Sequence, residues 1–308
     1  MFFLVGPTAV GKSELAAEVA ARCDAEIVGA DAFQVYAGLE VLTAWAGPGL
    51  RAKVRHHLIG EIPMGERFDV ARYRELALER IAEIERRGRR ALVVGGTGLY
   101  VRALTEGLAE LPGGDAQLRR EMEGMTLGEL QARYAALDPR GMERIDQQNR
   151  RRLVRAIEVT LLTGKPFSSL RADWSGERMA RPARGVALDR DREELYERID
   201  ARVRRMFDEG VVEEVRKAEA GPTAGQAIGY AEIKGLLRGE MSAEECADAI
   251  AQRTRRYAKR QLTWLRGENI FFKINLTHKP QSEVADAIAR RILAGRPEGE
   301  ELGGQIDS

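Results

Sequence analysis

Gly6-Pro7-Thr8-Ala9-Val10-Gly11-Lys12-Ser13 stands between a short apolar run, Phe2-Phe3-Leu4-Val5, and a helical pattern. The spacing G-x-x-x-x-G-K-[ST] is that of a phosphate loop. Its glycines let the backbone curl until successive N–H groups point inward, the helix behind it adds a positive N-terminal end, and Lys12 supplies a point charge. Ser13 is placed to hold a magnesium ion against phosphate oxygens. With strand, loop and helix in that order, a plain glycine turn is the weaker reading, and the chain must build a sheet that carries the loop at a strand's carboxyl end. A di- or triphosphate fits the loop; the spacing leaves open which.

The residues that follow continue an alternation of strand and helix. Leu15, Ala16, Val19 and Ala20 form one helical stripe, and Glu26-Ile27-Val28-Gly29-Ala30 reads as a buried strand ending at Asp31. Ligands of open α/β sheets lie outside the carboxyl ends of the strands, so Asp31 is expected in the crevice of the phosphate loop. There it either caps the next turn or accepts a proton from an attacking nucleophile, and its place beside a phosphate site favours the base. Asp31-Ala32-Phe33-Gln34-Val35-Tyr36 adds an amide and two aromatic rings that grip a planar group or belong to the core. The Gly- and Pro-rich stretch from Thr43 to Arg67 holds His56-His57-Leu58, whose adjacent histidines share no face and have no third ligand nearby, which argues against a metal site. Asp69 is the expected N-cap of a helix with Val70, Tyr73, Ala77, Ile81 and Ile84 inward, stopping at Gly88. Ala91-Leu92-Val93-Val94 is the next buried strand. It runs into Gly95-Gly96-Thr97-Gly98-Leu99-Tyr100, where an ordinary phosphate-loop ATPase has an acidic residue. Those glycines admit a ligand to the backbone while Thr97 offers a hydroxyl, or the turn serves packing alone.

From about Leu111 to Arg181 the alternation gives way to polar helices with no buried strand. This is the pattern of an inserted helical subdomain, taken as 113–182 within a core of 1–112 and 183–308. Thr126 and Glu129 form a capping box, and Asp138-Pro139 marks a break. In Asn149 to Glu158, Leu153, Ile157 and, further on, Leu161 are expected inward, with Arg151 and Arg155 outward, where a run free of acids until Glu158 is solvated or meets phosphates. Gly185-Val186-Ala187-Leu188 returns to strand character before a helix with Leu195, Ile199, Val203 and Met206 inside and Arg192, Arg198 and Arg202 outside. Ser242 and Glu245 open a basic helix carrying Arg253, Arg255, Arg256, Lys259, Arg260 and Arg266 with Tyr257 and Trp264. Arginines beside aromatics suit phosphate neutralisation with base stacking; an exposed basic helix anchored by Trp264 is the plainer alternative. One amphipathic helix follows Pro280, and Gly303 to Ser308 reads as a frayed tail.

Overall charge supplies no attraction for nucleic acid, since 49 Lys and Arg face 48 Asp and Glu for a net +1. Any such binding must come from local clusters. Cys23 and Cys246 form no C-x-x-C and read as packing residues. No apolar run reaches membrane-spanning length and the loop begins at Gly6, so the expectation is a reduced, cytoplasmic protein with no signal peptide and no membrane partner.

Together these stretches resemble the bacterial tRNA dimethylallyltransferases, also called tRNA isopentenylpyrophosphate transferases, over nearly the whole chain. The matching residues are Gly6 to Ser13, Asp31 to Tyr36, Thr43-Ala44, His56-His57-Leu58, Gly95 to Tyr100, Arg151 to Glu158, Ala227-Ile228-Gly229-Tyr230 and Thr254 to Arg266. Each alone is weak; their order and combination are specific. The resemblance implies an α/β fold, a P-loop NTPase-like parallel sheet flanked by helices with an inserted all-helical subdomain, acting as a monomer. It implies a loop, elsewhere a nucleotide- and ATP-binding motif, that holds dimethylallyl diphosphate with Mg2+. N6 of the adenosine at tRNA position 37, next to the anticodon in tRNAs reading codons that begin with U, attacks the allylic carbon and expels diphosphate. By this resemblance Asp31 takes the N6 proton, and Thr97 contacts the flipped adenosine or the diphosphate. Gly6, Pro7, Thr8, Ala9, Val10, Gly11, Lys12 and Ser13 cradle the diphosphate, with Arg192 or Arg198 completing the clamp. Contacts to the tRNA anticodon stem-loop fall to Asp31, Ala32, Phe33, Gln34, Thr97, Arg119, Arg151, Arg152, Leu153, Val154 and Arg155. They continue through Gln226, Ala227, Ile228, Gly229, Tyr230 and Ala231, and through Lys259, Arg260, Gln261, Leu262, Thr263, Trp264, Leu265 and Arg266.

The implied chemistry is consistent with the residues. An aromatic amine is a poor nucleophile, so a leaving group stabilised as it departs must lower most of the barrier, while unstacking the base is recovered through stacking and backbone contacts. Three departures stand out. The family's Asp-Ser is Asp31-Ala32, its Gly-Thr-Ala-Lys-Pro is replaced around Leu42-Thr43-Ala44-Trp45-Ala46, and Gln148-Asn149 stands where an Asp precedes Arg151. A hydroxyl and a lysine contact are lost, so activity is expected with altered efficiency or tRNA preference. The competing class is a P-loop small-molecule or nucleotide kinase in which Asp31 activates a hydroxyl and ATP fills the loop; the Gly-Gly-Thr ending and the basic helix count against it. An RNA-binding protein with a relic loop ranks third, given intact Lys12 and Ser13.

Overall fold

The computed structural model describes residues 1–109, 111–170 and 184–294, so the tail from Gly303 and the end of the insert, 171–182, lie outside the described residues. The chain divides into two compact units, Met1–Thr105 with Arg181–Ser308, and Glu106–Ala180.

The first unit is built on six strands: β1 (Phe2–Val5), β2 (Ala25–Ala30), β3 (His56–His57), β4 (Arg90–Gly95), β5 (Gly185–Asp189) and β6 (Phe272–Asn275). All pair in parallel, in the order β3-β2-β4-β1-β5-β6. Parallel sheets are covered on both faces, which is why β1 and β2 are buried at every position. Helices α1 (Lys12–Arg22), α2 (Pro48–Lys53), α3 (Val70–Arg86) and α4 (Gly98–Thr105) belong to this unit. With them go α9 (Arg192–Asp208), α10 (Val211–Lys217), α11 (Tyr230–Leu237), α12 (Ala243–Gly267) and α13 (Gln281–Leu293). Side chains alternate across the sheet. Phe3, Val5, Val28, Val93, Tyr73 and Tyr100 fill one core, while Leu4, Ile27, Leu92, Val186, Leu15 and Ile288 fill the other. The chain reverses direction across the sheet at β1, which lies between β4 and β5, and this switch point brings their three carboxyl ends together.

Two strands lie outside the expectations drawn from the sequence. β3 is two residues long inside the stretch read as Gly- and Pro-rich loop, and β6 is an edge strand with alternate half-buried and exposed positions. Tertiary pairing makes β3: buried His57 meets buried Glu26 at 2.6 Å, and Arg87 closes the same carboxylate at 2.8 Å. Cys23 and Cys246 are free and buried. Asp69 caps α3 by accepting the N–H groups of Ala71 and Arg72, and Ser242 forms its capping box with Glu245.

The second unit includes the helices α5 (Ala116–Glu123), α6 (Leu127–Leu137), α7 (Pro139–Met142) and α8 (Arg150–Thr163). Their core is Met122, Leu130, Tyr134, Leu153, Ala156 and Ile157. Leu153, taken above as a tRNA contact, is fully buried in that core and offers no side chain to a partner. Leu161, expected inward, is 39% exposed, because each step of four residues advances a helix by about 40° and carries the stripe off the core. Arg119 and Arg155 are not open phosphate ligands either. The buried carboxylate of Glu158 accepts from Arg119 Nε (2.7 Å), Arg119 Nη2 (3.0 Å), Arg155 Nη1 (2.6 Å) and the N–H of Asp115 (2.8 Å). Arg151 and Arg152 are exposed and Val154 is half-buried.

Burial alone would raise the pKa of Glu158, but these donors outweigh it and hold the carboxyl below its ordinary value of 4.5. Its contribution is therefore complete above pH 4.5 and lost as pH falls through the lower folded value. Glu158→Ala leaves two guanidinium groups facing each other and is expected to cost about 3 kcal/mol at pH 7, the low end for a broken buried pair because both arginines reach solvent. In urea unfolding followed through amide exchange in α8, the gap between wild type and variant closes as pH falls through the acid limb; a constant gap contradicts the assignment.

Candidate active site

The phosphate loop follows β1, with Gly6 N–H bonded to the carbonyl of Gly95 (3.2 Å). Gly11 at φ 101° and Ala9 at φ 64° take left-handed backbone, the alternation that turns successive N–H groups to one side as an anion nest. A Cβ residue is uncommon at such φ, and Ala9 is fixed there from outside. Arg198 Nε donates to the carbonyl of Ala9 (2.8 Å), Arg190 Nε to that of Val10 (2.9 Å), and Arg202 Nη1 to Thr8 Oγ1 (2.8 Å). Lys12 Nζ donates to the carbonyls of Gly6 (3.0 Å) and Pro7 (2.7 Å). Cations thus hold the loop's oxygens, and the first-turn N–H groups of α1, which have no helical partner, face the nest. Burial pulls Lys12 down to about 8, with Asp31 opposing the shift and Arg202 adding to it.

Asp31 lies at the tip of β2 and lines one cleft with Thr8, Phe33, Thr43, Arg202 and Tyr257. The capping reading of Asp31 holds in the structure. Its Oδ1 accepts the N–H groups of Phe33 (2.9 Å) and Gln34 (3.3 Å), while Oδ2 receives no bond from any described residue. Thr97 stands behind this wall and outside the cleft lining: its Oγ1 accepts Ala32 N–H (3.1 Å), with the Tyr257 phenol near it. Burial pushes that phenol up, and the Asp31 charge pushes it further.

The Gly-Gly-Thr-Gly turn admits the protein's own atoms. A Cβ at Gly96 would lie 2.3 Å from Gln261 Nε2, and one at Gly98 would lie 2.6 Å from the Trp264 ring. This corrects the expectation of ligand approach there. Gln261 is buried and uses both ends of its amide internally, accepting Thr8 N–H (2.8 Å) and donating to the Gly96 carbonyl (2.9 Å). Leu265 is buried too, so neither of these residues presents a side chain to a tRNA. Gln34 donates to the carbonyls of Thr43 (2.9 Å) and Ala44 (3.0 Å), and Tyr36 is core.

Arg192 does not reach the loop; it lies over the Tyr196 ring at 5.2 Å. Arg190 and Arg202 are there instead, joining Arg198. The signal for Arg202 was its place one turn beyond Arg198 on α9, and Arg190 sits beside the tip of β5. Of the basic helix, Arg253 pairs with Glu232 and Arg255 with Asp200. Arg256, Lys259, Arg260, Thr263 and Arg266 are exposed, with Arg260 over the Tyr257 ring, while Leu262 and Trp264 are half-buried. Ala32 is half-buried beside Asp31. Ala227 and Gly229 are buried, Gln226 and Ala231 are exposed, Ile228 lines the cleft, and the Tyr230 hydroxyl bonds Ala218 and Ala220.

The Ser13 hydroxyl bonds no described residue, and no group of three or more His, Cys, Asp or Glu forms a metal cluster among the described residues. A single free hydroxyl suits magnesium, which binds through one or two protein ligands together with substrate phosphates.

A nest at the sheet's switch point, ringed by cations and facing a carboxylate across a partly apolar cleft, belongs to a P-loop-type α/β enzyme. The IPP transferase family model matches residues 34–268. A tRNA dimethylallyltransferase of Geobacter metallireducens is 46% identical over 276 residues, 86% of this chain and 88% of the relative. That of Akkermansia muciniphila is 42% identical over 306 residues, 98% and 99%. The crystal structure of the full-length tRNA isopentenylpyrophosphate transferase of Bacillus halodurans superposes with TM-score 0.67 at 33% identity, covering 95% of this chain and 96% of that one. The chain belongs to the IPP transferase family.

The loop's charge titrates in an accessible range. Below about pH 8 Lys12 is an ammonium, and above it the nest loses one positive charge. Affinity for inorganic diphosphate, measured by calorimetry from pH 6.5 to 9.5, is expected to fall by up to about tenfold per pH unit above 8 relative to Lys12→Met, in which diphosphate's own titration is the only one left. Parallel profiles would place the ammonium outside the anion site.

Proposed function

We propose that this enzyme transfers a dimethylallyl group from dimethylallyl diphosphate to N6 of the adenosine at tRNA position 37 and releases diphosphate. The observation that carries the reading is the placement of Asp31, with an unengaged carboxylate oxygen, in the same cleft as Thr8 and Arg202 of the anion nest. The names of the relatives support prenyl transfer over the phosphoryl transfer of a kinase.

The nest, Lys12, Arg198 and Arg202 bind the diphosphate and stabilise charge as it leaves, the term that matters most for a weak amine nucleophile. The N6–carbon bond forms as the carbon–oxygen bond breaks; the electron pair departs with diphosphate, and the N6 proton passes to Asp31 Oδ2. Oδ1 stays bonded to Phe33 and Gln34 and keeps the carboxylate oriented. Ser13 would hold magnesium, which adds positive charge against the phosphate oxygens. Phe33 and Tyr257 line the space for a base removed from its stack. Arg256, Lys259, Arg260 and Arg266 meet the anticodon stem-loop backbone from one exposed helix face. The reading includes a monomer working in the cytoplasm, in tRNAs that read codons beginning with U; no described helix is long and apolar enough to cross a membrane.

Wild type incubated with dimethylallyl diphosphate, magnesium and an anticodon stem-loop is expected to add one five-carbon unit by mass, and none when position 37 is not adenosine. Asp31→Asn keeps the oxygen that orients the turn but takes no proton, so turnover should drop about 100- to 10,000-fold with stem-loop affinity nearly unchanged. Normal turnover in that variant rules out Asp31 as the base.

A further inference from the structure

The cleft has two chemistries along one helix. Arg198 and Arg202 reach the phosphate loop from α9, and Val203, next to Arg202, and Met206, one turn beyond Arg202, line the same cleft without a polar group. Leu42, Ala227 and Ile228 complete the apolar end. Val203, Met206, Leu42 and Ala227 are at most 5% exposed, so this end is closed by packed side chains.

Four residues of helix advance about 6 Å. That rise along the axis is comparable with an extended five-carbon allylic chain and shorter than a ten-carbon one, each carbon–carbon bond being about 1.5 Å long. We infer that Met206, with Leu42 and Val203, forms a stop that limits the transferred allylic group to five carbons and excludes the ten-carbon homologue. The inference rests on the prenyl-transfer reading above and deepens it: that reading requires an apolar subsite, and α9 fixes its length. Discrimination follows from volume. Each extra methylene in a packed apolar pocket changes selectivity by about 10- to 200-fold, and a second isoprene unit adds five carbons to a pocket already filled.

Dimethylallyl and geranyl diphosphates are offered to the full-length protein with the same stem-loop, and kcat/KM is read for each by mass of the RNA. Wild type is expected to prefer the five-carbon donor by at least about 100-fold. Met206→Ala should shift the ratio toward geranyl by at least about tenfold, and Met206→Leu, which conserves volume, should retain the wild-type ratio. Val203→Ala opens the same wall and decides the matter if Met206→Ala does not fold, which its thermal unfolding reports. A wild type that uses both donors equally, or folded alanine variants with an unchanged ratio, overturns the length stop. A wild type that transfers neither prenyl group overturns the functional reading itself.

Discussion

The amide of Gln261 is the joint on which the site depends. It reaches from α12 between two strand ends, accepting the N–H of Thr8 on the phosphate loop and donating to the carbonyl of Gly96 after β4. The bond to Gly96 is buried and that to Thr8 part-buried, in a setting where an unmet hydrogen bond costs about 1–3 kcal/mol, so one side chain satisfies two backbone groups and fixes the distance between the elements that carry them. The joint also explains the turn it touches. A Cβ at Gly96 would meet the Gln261 amide at 2.3 Å and the Gly6 carbonyl at 2.7 Å, so the absence of a side chain there lets β4, the loop and α12 close on one another. Where other P-loop proteins place an acidic residue at such a strand tip, this chain spends the position on packing.

Around that joint the charges are arranged for an anion. Lys12, Arg190, Arg198 and Arg202 converge on one loop, and burial disfavours the charged forms of Lys12, Arg190 and Arg202. Asp31 offsets Lys12 and Arg202, and Glu194 offsets Arg190. Such a cluster is costly when empty and is relieved by a ligand bearing several negative charges, which turns electrostatic repulsion in the free protein into binding energy.

Much of this was legible in the residues themselves. The phosphate loop, the tip position of Asp31 and the buried strands follow from spacing and apolar runs, since β1, β2 and β4 sit inside a parallel sheet and need no alternation. The capping boxes at Thr126 and Ser242 were equally plain, because their partners lie three residues away. What escaped was set by partners distant in sequence. Glu158 meets Arg119 across 39 positions, Gln261 meets Gly96 across 165, and Arg202 meets Thr8 across 194. An arginine in a helix looks the same in sequence whether it faces water, a buried carboxylate or a loop carbonyl. Arg192, Arg198 and Arg202 show the point, because only the two spaced by one turn share the face that meets the loop.

The basic helix α12 resolves the same ambiguity by period. Ile250, Thr254, Ala258, Gln261 and Leu265 recur at three and four residues and turn toward the protein, placing Thr254 in the cleft and Gln261 at its joint. Arg256, Lys259, Arg260 and Arg266 fall on the opposite, exposed side, while Arg253 and Arg255 at the flank are absorbed by Glu232 and Asp200. Tyr257 stands between the two sides, its ring under Arg260 and lining the cleft. A helix is stiff over a few turns and rises about 1.5 Å per residue, so the outer face sits at a fixed offset from the cleft that Thr254 on the inner face lines together with Asp31. In the function proposed above, one element would thereby set both where the tRNA docks and how far its base travels to reach Asp31.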